Sequence, residues 1–143
     1  MSDRLLHNSQ KEDDMKVRQL FLVIAAIGLV PVALSYGVAP KESLGYLFDI
    51  TVSNRNGAHI FRATMGLYVA VAIFWIIGAF RARVSQAALY SLIVFMFGIA
   101  AGRILSIVID GVPHWLLVAY LAMELLFGIL GVLLLRKQIR DPA

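Results

Sequence analysis

The chain has 143 residues, of which 60% are hydrophobic and only 15% are charged, and its net charge is +4. Soluble domains carry about 25% charged residues, so this composition excludes an ordinary soluble domain. The absence of cysteine excludes disulfides, thiolate catalysis and zinc–thiolate sites. Because one bilayer crossing needs about 20 apolar residues, four crossings account for nearly the whole chain. The sequence predicts an all-α integral membrane bundle of four transmembrane helices.

Four apolar runs predict the crossings, and polar segments flank them. The predicted organisation is a polar N-terminal segment (1–19), a transmembrane domain (20–136) with crossings at 20–36, 58–80, 86–109 and 115–135, and a short tail (137–143). The first run is short, so a secretory signal peptide cleaved near residues 33–35 is a competing interpretation. The long, partly acidic head before this run favours a crossing.

The distribution of basic residues predicts the orientation. Nine Lys and Arg residues lie on the side of the two termini and two, Lys41 and Arg55, on the opposite side. The positive-inside rule therefore predicts that both termini are cytoplasmic. This topology, together with anionic lipid headgroups, accounts for the positive charge. No basic groove with interleaved aromatic residues indicates a nucleic-acid partner.

One connection, at residues 37–57, is long and lies on the outer side of this topology. Tyr46 and Phe48 in this segment are typical of anchors at the membrane interface. The alternative interpretation is a lid over an outward-facing pocket. The sequence leaves both interpretations open.

Three charged residues, Arg62, Arg103 and Glu124, fall inside the crossings, where a charge at the helix centre costs about 2.5–3.5 kcal/mol. Arg62 is near enough to the outer surface to reach it with its long side chain. Arg103 is seven residues before Asp110, about 10 Å below the outer end of its helix. Glu124 is nine residues after Trp115, about 14 Å below the same side. The matched depths predict an Arg103–Glu124 ion pair between neighbouring helices.

Helical spacing places further polar residues beside this pair. Ser106 and Asp110 follow Arg103 on one face of the third crossing, and Tyr120 shares a face with Glu124 on the fourth. The candidate cluster comprises Arg62, Arg103, Ser106, Asp110, Tyr120 and Glu124. One interpretation is a structural network that determines helix register; another is a cavity that binds a polar or anionic headgroup; a third is a proton relay through Glu124.

Small residues on the crossings predict close helix packing. The packing candidates are Gly66, Gly98, Gly102, Gly128 and Gly131, of which the pair at 98 and 102 forms a GxxxG pattern. No spacing typical of a metal site, a cofactor site or a catalytic motif is found.

Two segments carry a resemblance to a known family. They are HIFRATMGLY at residues 59–68 and AGRILSIVIDGVP at residues 101–113, and a Glu follows in the fourth crossing. In these features the chain resembles a family of small four-helix bacterial inner-membrane proteins classed as a domain of unknown function. The matching residues are Arg62, Gly66, Leu67, Tyr68, Arg103, Leu105, Ser106, Asp110, Gly111, Pro113 and Glu124. The resemblance covers residues 20–135 and implies a bacterial inner-membrane location and no particular activity.

The sequence favours the first of the following three functions, and the other two are alternatives. The first is a non-catalytic accessory or scaffold subunit that packs against another integral membrane protein or a second copy of itself. The second is a binder or carrier of a polar lipid or small amphiphile. The third is a membrane-embedded enzyme with Glu124 or Asp110 as a general base. All three have membrane lipids as partners, and none requires a cofactor.

Overall fold

The structure is a computed structural model that describes the backbone of residues 2–140 and the side chains of residues 12–137. Within that range the chain forms five helices and no strands: α1 (Ser2–Gly37), α2 (Pro40–Phe48), α3 (Arg55–Phe80), α4 (Ala82–Asp110) and α5 (Trp115–Arg140). Four segments are long and apolar enough to cross a membrane: Glu12–Gly37, Arg55–Phe80, Ala82–Asp110 and Trp115–Lys137. The predicted all-α architecture with four transmembrane helices is confirmed.

Parts of two predictions lie outside the described residues. These are the end of the predicted tail, from residue 141 onward, and the side chains of Arg4, Lys11 and Arg140, which contribute to the charge asymmetry.

The long helices pack in the order α1, α3, α4, α5, and α1 and α5 approach each other at only a few points. Small residues make the α1 face compact: Ala25, Ala26 and Ala33 are buried in the core. Small residues let helix backbones approach closely, which is the main source of packing energy between helices in a membrane.

Trp75 of α3 lies at the centre of this core and is fully buried. Its indole Nε1–H donates a hydrogen bond of 3.0 Å to the Ser91 hydroxyl of α4. The bond provides a partner for a donor that would otherwise be unsatisfied away from water.

Helix α2 lies within the connection at residues 37–57, for which no helix was predicted. Pro40 occupies its first turn, where the missing N–H costs nothing, and the Ser43 hydroxyl donates to the carbonyls of Ser35 and Ala39, each at 2.6 Å. Leu44 and Phe48, one turn apart, are both buried. The helix therefore lies across one end of the bundle, which we call the α2 end.

Glycine determines the approach of α3 and α4, which are joined by Arg81 alone. A Cβ at Gly78 would overlap the Cβ of Ala88 on α4. By contrast, a Cβ at Gly98, on the exposed face of α4, would meet no atom within 4 Å.

We expect Gly78→Ala to destabilise the protein by about 1–3 kcal/mol, because the added methyl group overpacks the α3–α4 contact. Gly98→Ala is the matched control; it should be neutral or slightly stabilising because alanine favours the helix. Unfolding of both variants in detergent micelles measures the difference. Equal stability of the two variants would contradict the predicted packing.

Candidate functional site

Arg103 of α4 and Glu124 of α5 form the ion pair expected from their matched depths. The Arg103 Nε–H group donates to both carboxylate oxygens of Glu124, at N···O distances of 2.8 Å and 3.0 Å. The two side chains are only 17% and 12% exposed. Opposite charges on adjacent helices neutralise each other, which reduces the cost of holding either one in an apolar span.

Two tyrosines contact the guanidinium from other helices. The Arg103 Nη2 atom lies 3.5 Å from the Tyr36 hydroxyl of α1, to which it donates. The Arg103 Cζ atom lies 5.8 Å from the centre of the Tyr120 ring of α5, a cation–π distance. The arginine therefore connects α1, α4 and α5.

Aromatic rings surround Tyr36. The centre of its ring is 5.8 Å from that of Phe48, 6.2 Å from that of Phe61 and 5.7 Å from that of Tyr68. These rings supply apolar surroundings beside the arginine's tyrosine partner, and such surroundings strengthen electrostatic contacts.

The two aromatic residues of α2 differ in their surroundings, so they bear differently on whether the long connection is an interface anchor or a lid. Phe48 is 4% exposed, and its ring centre is 6.1 Å from that of Tyr120, so this residue packs inside the bundle and is not available as an interface anchor. Tyr46, on the same helix, is 90% exposed and remains available as an interface anchor.

The structure separates the other predicted cluster residues from this pair. The Ser106 hydroxyl donates to the Asp110 carboxylate at 3.0 Å, and both side chains are exposed. Arg62 is exposed and lines a different cavity at the α2 end. The six candidates thus fall into three groups: Arg103 with Glu124 and Tyr120, Ser106 with Asp110, and Arg62.

Tyr36, Phe48 and Tyr68 were not predicted as site residues. A tyrosine in an apolar crossing is a weak signal of a buried polar contact, and Tyr68 was noted only as part of the family resemblance. Their contacts join different helices, and no spacing within one helix reveals such contacts.

The candidate packing glycines also differ in their surroundings. A Cβ at Gly128 would lie 3.0 Å from the Phe97 ring, and one at Gly131 would lie 2.9 Å from Ile93, so both permit close approach of α5 to α4. Gly66, Gly98 and Gly102 are exposed, and a Cβ at any of them would meet no atom within 4 Å. Close helix packing at these three positions remains a prediction, because it requires a helix of another membrane protein or of a second copy of this chain.

A groove of about 230 Å³ lies between α1 and α5, beside the ion pair. We call it the α1–α5 groove; it is lined by Ile24, Ala25, Gly28, Leu29, Val32, Tyr68, Phe95, Met96, Ile99, Tyr120, Met123, Glu124 and Phe127. Ile24 and Met123 are each 50% exposed, so the groove opens on the side of the bundle.

Contacts close the α1–α5 groove at both ends. At the end away from α2, the Phe21 and Phe127 rings stack at 5.6 Å and Lys137 donates to Asp14 at 2.6 Å. At the α2 end, the groove stops at the tyrosines around Arg103. Glu124 is the one acidic residue among those that line the groove, whose surface is almost wholly apolar.

Among residues whose side chains are described, no three His, Asp or Glu side chains group closely enough to hold a metal ion. Fold and site together define a small four-helix integral membrane protein with an internal ion pair beside a lateral groove. Its chain belongs to the family described as Domain of unknown function (DUF4345), which matches residues 17–135. This finding confirms the part of the resemblance that concerns a domain of unknown function. No curated protein and no solved structure matches the chain.

We expect Arg103→Gln and Glu124→Gln each to destabilise the protein by about 3 kcal/mol, because each leaves one uncompensated charge between helices. The double variant should lose much less than the sum of the two single losses, since no charge remains. Unfolding in detergent micelles measures this coupling. Arg83→Gln is the control, because Arg83 is an exposed arginine outside the pair. If the stability losses of the two single variants simply add in the double variant, mutual neutralisation of Arg103 and Glu124 is contradicted.

Proposed function

We propose that this protein is a non-catalytic integral membrane protein that binds one small amphiphile in the α1–α5 groove. The observation that carries the proposal is an almost wholly apolar, laterally open groove that has one acidic residue, Glu124, among the residues that line it. Ligand sites combine mostly apolar walls with a small number of polar groups. In this groove the wall surface is almost entirely apolar, and Glu124 is the acidic residue in the lining. Its volume of about 230 Å³ is below the range of about 300–1,000 Å³ for drug-sized ligands, which favours a single short chain.

The ion pair favours a neutral polar group on this ligand. Arg103 and Glu124 already neutralise each other, so a charged ligand would introduce an uncompensated charge. The carboxylate accepts two contacts from one nitrogen of Arg103, and its two oxygens have capacity for further donors. A hydroxyl group therefore suits the site, and we take a monoacylglycerol as the representative ligand.

The proposed location is the bacterial inner membrane, with both termini in the cytoplasm. The asymmetry of nine against two basic residues supports the orientation. On this topology the α2 end faces the outer side of the membrane, and the amphiphile enters from the outer leaflet.

An accessory-subunit function is the second candidate, and the open face of α4 favours it. Gly98 and Gly102 form a GxxxG pattern with free space around both residues. Such patterns permit close helix association, so another integral membrane protein or a second copy of this chain fits this face.

The proposed orientation can be tested by labelling, because the chain has no cysteine. We expect a membrane-impermeant maleimide to label Thr51→Cys, in the exposed connection after α2, in intact spheroplasts. Ala82→Cys, at the exposed start of α4, should react only after permeabilisation. The reverse pattern would place the termini outside.

Gly28→Leu tests the amphiphile proposal. Gly28 lines the groove, and a Cβ there would meet no protein atom within 4 Å, so leucine should occupy the ligand space without disturbing the fold. We expect the affinity for monodecanoylglycerol, titrated in native mass spectrometry, to fall at least tenfold.

Gly98→Leu is the matched control, because it adds the same side chain to an equally open glycine on another face. This variant should bind the monoacylglycerol as the wild type does. Equal binding by Gly28→Leu and wild type, or no saturable binding by wild type, would contradict the proposal. Loss of a stoichiometric partner chain in Gly98→Leu alone would support the accessory-subunit function.

A further inference from the structure

A second cavity lies at the α2 end and shares no lining residue with the α1–α5 groove. We call it the outer vestibule; its volume is about 1050 Å³, and it is lined by Val38, Ala39, Pro40, Lys41, Glu42, Ser53, Asn54, Arg55, Asn56, Ala58, His59 and Arg62. The lining comes from the α1–α2 connection, the start of α2, the end of the α2–α3 connection and the first two turns of α3.

The outer vestibule carries an excess of positive charge. Lys41, Arg55 and Arg62 are cationic and Glu42 is the one acidic residue in the lining. Within the described part of the chain, none of these three cationic side chains forms a hydrogen bond or an ion pair. Unlike Arg103, they are not neutralised by the protein, so the vestibule attracts an anion.

The depth of Arg62 strengthens this argument. It lies seven residues after Arg55, the first residue of α3, which is about 10 Å further along the helix axis. An arginine at that depth has to reach a polar group, and a guanidinium matches phosphate oxygens in a bidentate manner. A phosphate bound in the vestibule satisfies this requirement.

A separate apolar groove lies further along α1 and α3, beyond the vestibule. This α1–α3 groove has a volume of about 220 Å³ and is lined by Ala26, Ile27, Val30, Val69, Ala72, Ile73, Ile76 and Ile77. Its lining has no charged or polar side chain, which suits a hydrocarbon chain.

The two cavities lie along one seam of the bundle. On α3, the residues His59, Arg62, Gly66, Val69 and Ile73 follow one another at spacings of three or four, so they share a face. The first two line the vestibule, and the last two line the groove.

Gly66 leaves the path between the cavities open. It is exposed, and a Cβ at this position would meet no atom within 4 Å. From Arg62 to Ile73 the helix rises about 16 Å, roughly half of the 30 Å hydrocarbon core. The seam therefore has the polarity and the length of one lipid in one leaflet.

We propose that this seam binds one anionic phospholipid, with its phosphate in the outer vestibule at Arg62, Arg55 and Lys41 and one acyl chain passing Gly66 into the α1–α3 groove. This site is separate from the α1–α5 groove, and its ligand is anionic where the other ligand is neutral. Three cationic side chains without internal partners determine the choice of an anionic lipid.

The test is a native mass spectrometry titration of delipidated protein with phosphatidylglycerol and with phosphatidylcholine of the same acyl chains. We expect wild type to bind one phosphatidylglycerol at least fivefold more tightly than phosphatidylcholine. Arg62→Gln should remove this preference by removing the bidentate contact. Gly66→Leu should weaken phosphatidylglycerol binding at least fivefold by blocking the acyl chain.

Two controls separate the site from the fold and from the other groove. Arg83→Gln removes an exposed arginine in the first turn of α4. Gly28→Leu fills the α1–α5 groove. Both variants should bind phosphatidylglycerol as wild type does. If Arg62→Gln lowers the unfolding temperature, its loss of binding could reflect a damaged fold. Lys41→Gln changes an exposed residue and should still reduce the preference for phosphatidylglycerol over phosphatidylcholine.

Each outcome supports or overturns the site. Loss of the preference in Arg62→Gln together with weaker binding in Gly66→Leu supports it. Equal binding of the two lipids by wild type overturns it. Displacement of the lipid by inorganic phosphate, with no effect of Gly66→Leu, also overturns it, because the vestibule is then an anion site without an acyl chain. If the protein does not bind the monoacylglycerol, the proposed function fails but the phosphatidylglycerol measurements still test this site, because they use a different lipid and different variants.

Discussion

Mutual neutralisation of Arg103 and Glu124 is the constraint on which the arrangement of the other helices depends. Two opposite charges in adjacent apolar helices are tolerable only when their depths match, so the pair determines how α5 sits along α4. The remaining donors of the guanidinium then reach Tyr36 on α1, and Phe48 of α2 packs against both Tyr36 and Tyr120. One polar contact thus organises four of the five helices, while apolar packing around Trp75 holds α3 within them.

The bundle encloses this pair without closing between α1 and α5. In water an apolar groove would be unfavourable, but lipid chains are as apolar as the helices and supply no driving force to close it. The groove is therefore stable as an opening, bounded by the Phe21–Phe127 contact at one end and by the tyrosines at the other. Gly28, Gly66 and Gly98 lie on α1, α3 and α4, and a Cβ at any of them would meet no atom within 4 Å. The free space at each glycine makes that helix face accessible to a ligand or a partner.

Much of this arrangement was predictable from residues in one helix at a time. The apolar runs predicted the four crossings, and counting residues from the helix ends predicted that Arg103 and Glu124 would meet. The grouping of the other polar residues was not predictable in the same way. Arg62 lines the outer vestibule and lies apart from the pair. Helical spacing alone does not reveal this, because the rotation of a helix about its axis depends on all of its neighbours. Helix α2 was missed because nine residues within a polar connection carry too short an apolar pattern to stand out.

The sequence by itself determined the class of protein, the number of crossings and the depth of each charge, because hydropathy and helical rise are properties of a single segment. Only the tertiary structure decided which aromatic rings surround the ion pair, where the two grooves open and which glycines are free. Tyr36 and Arg103 are 67 residues apart in the chain, and their contact follows from the packing of α1 beside α3 and α3 beside α4. No pattern within either helix specifies that packing order, because it results from the summed contacts among all the helices.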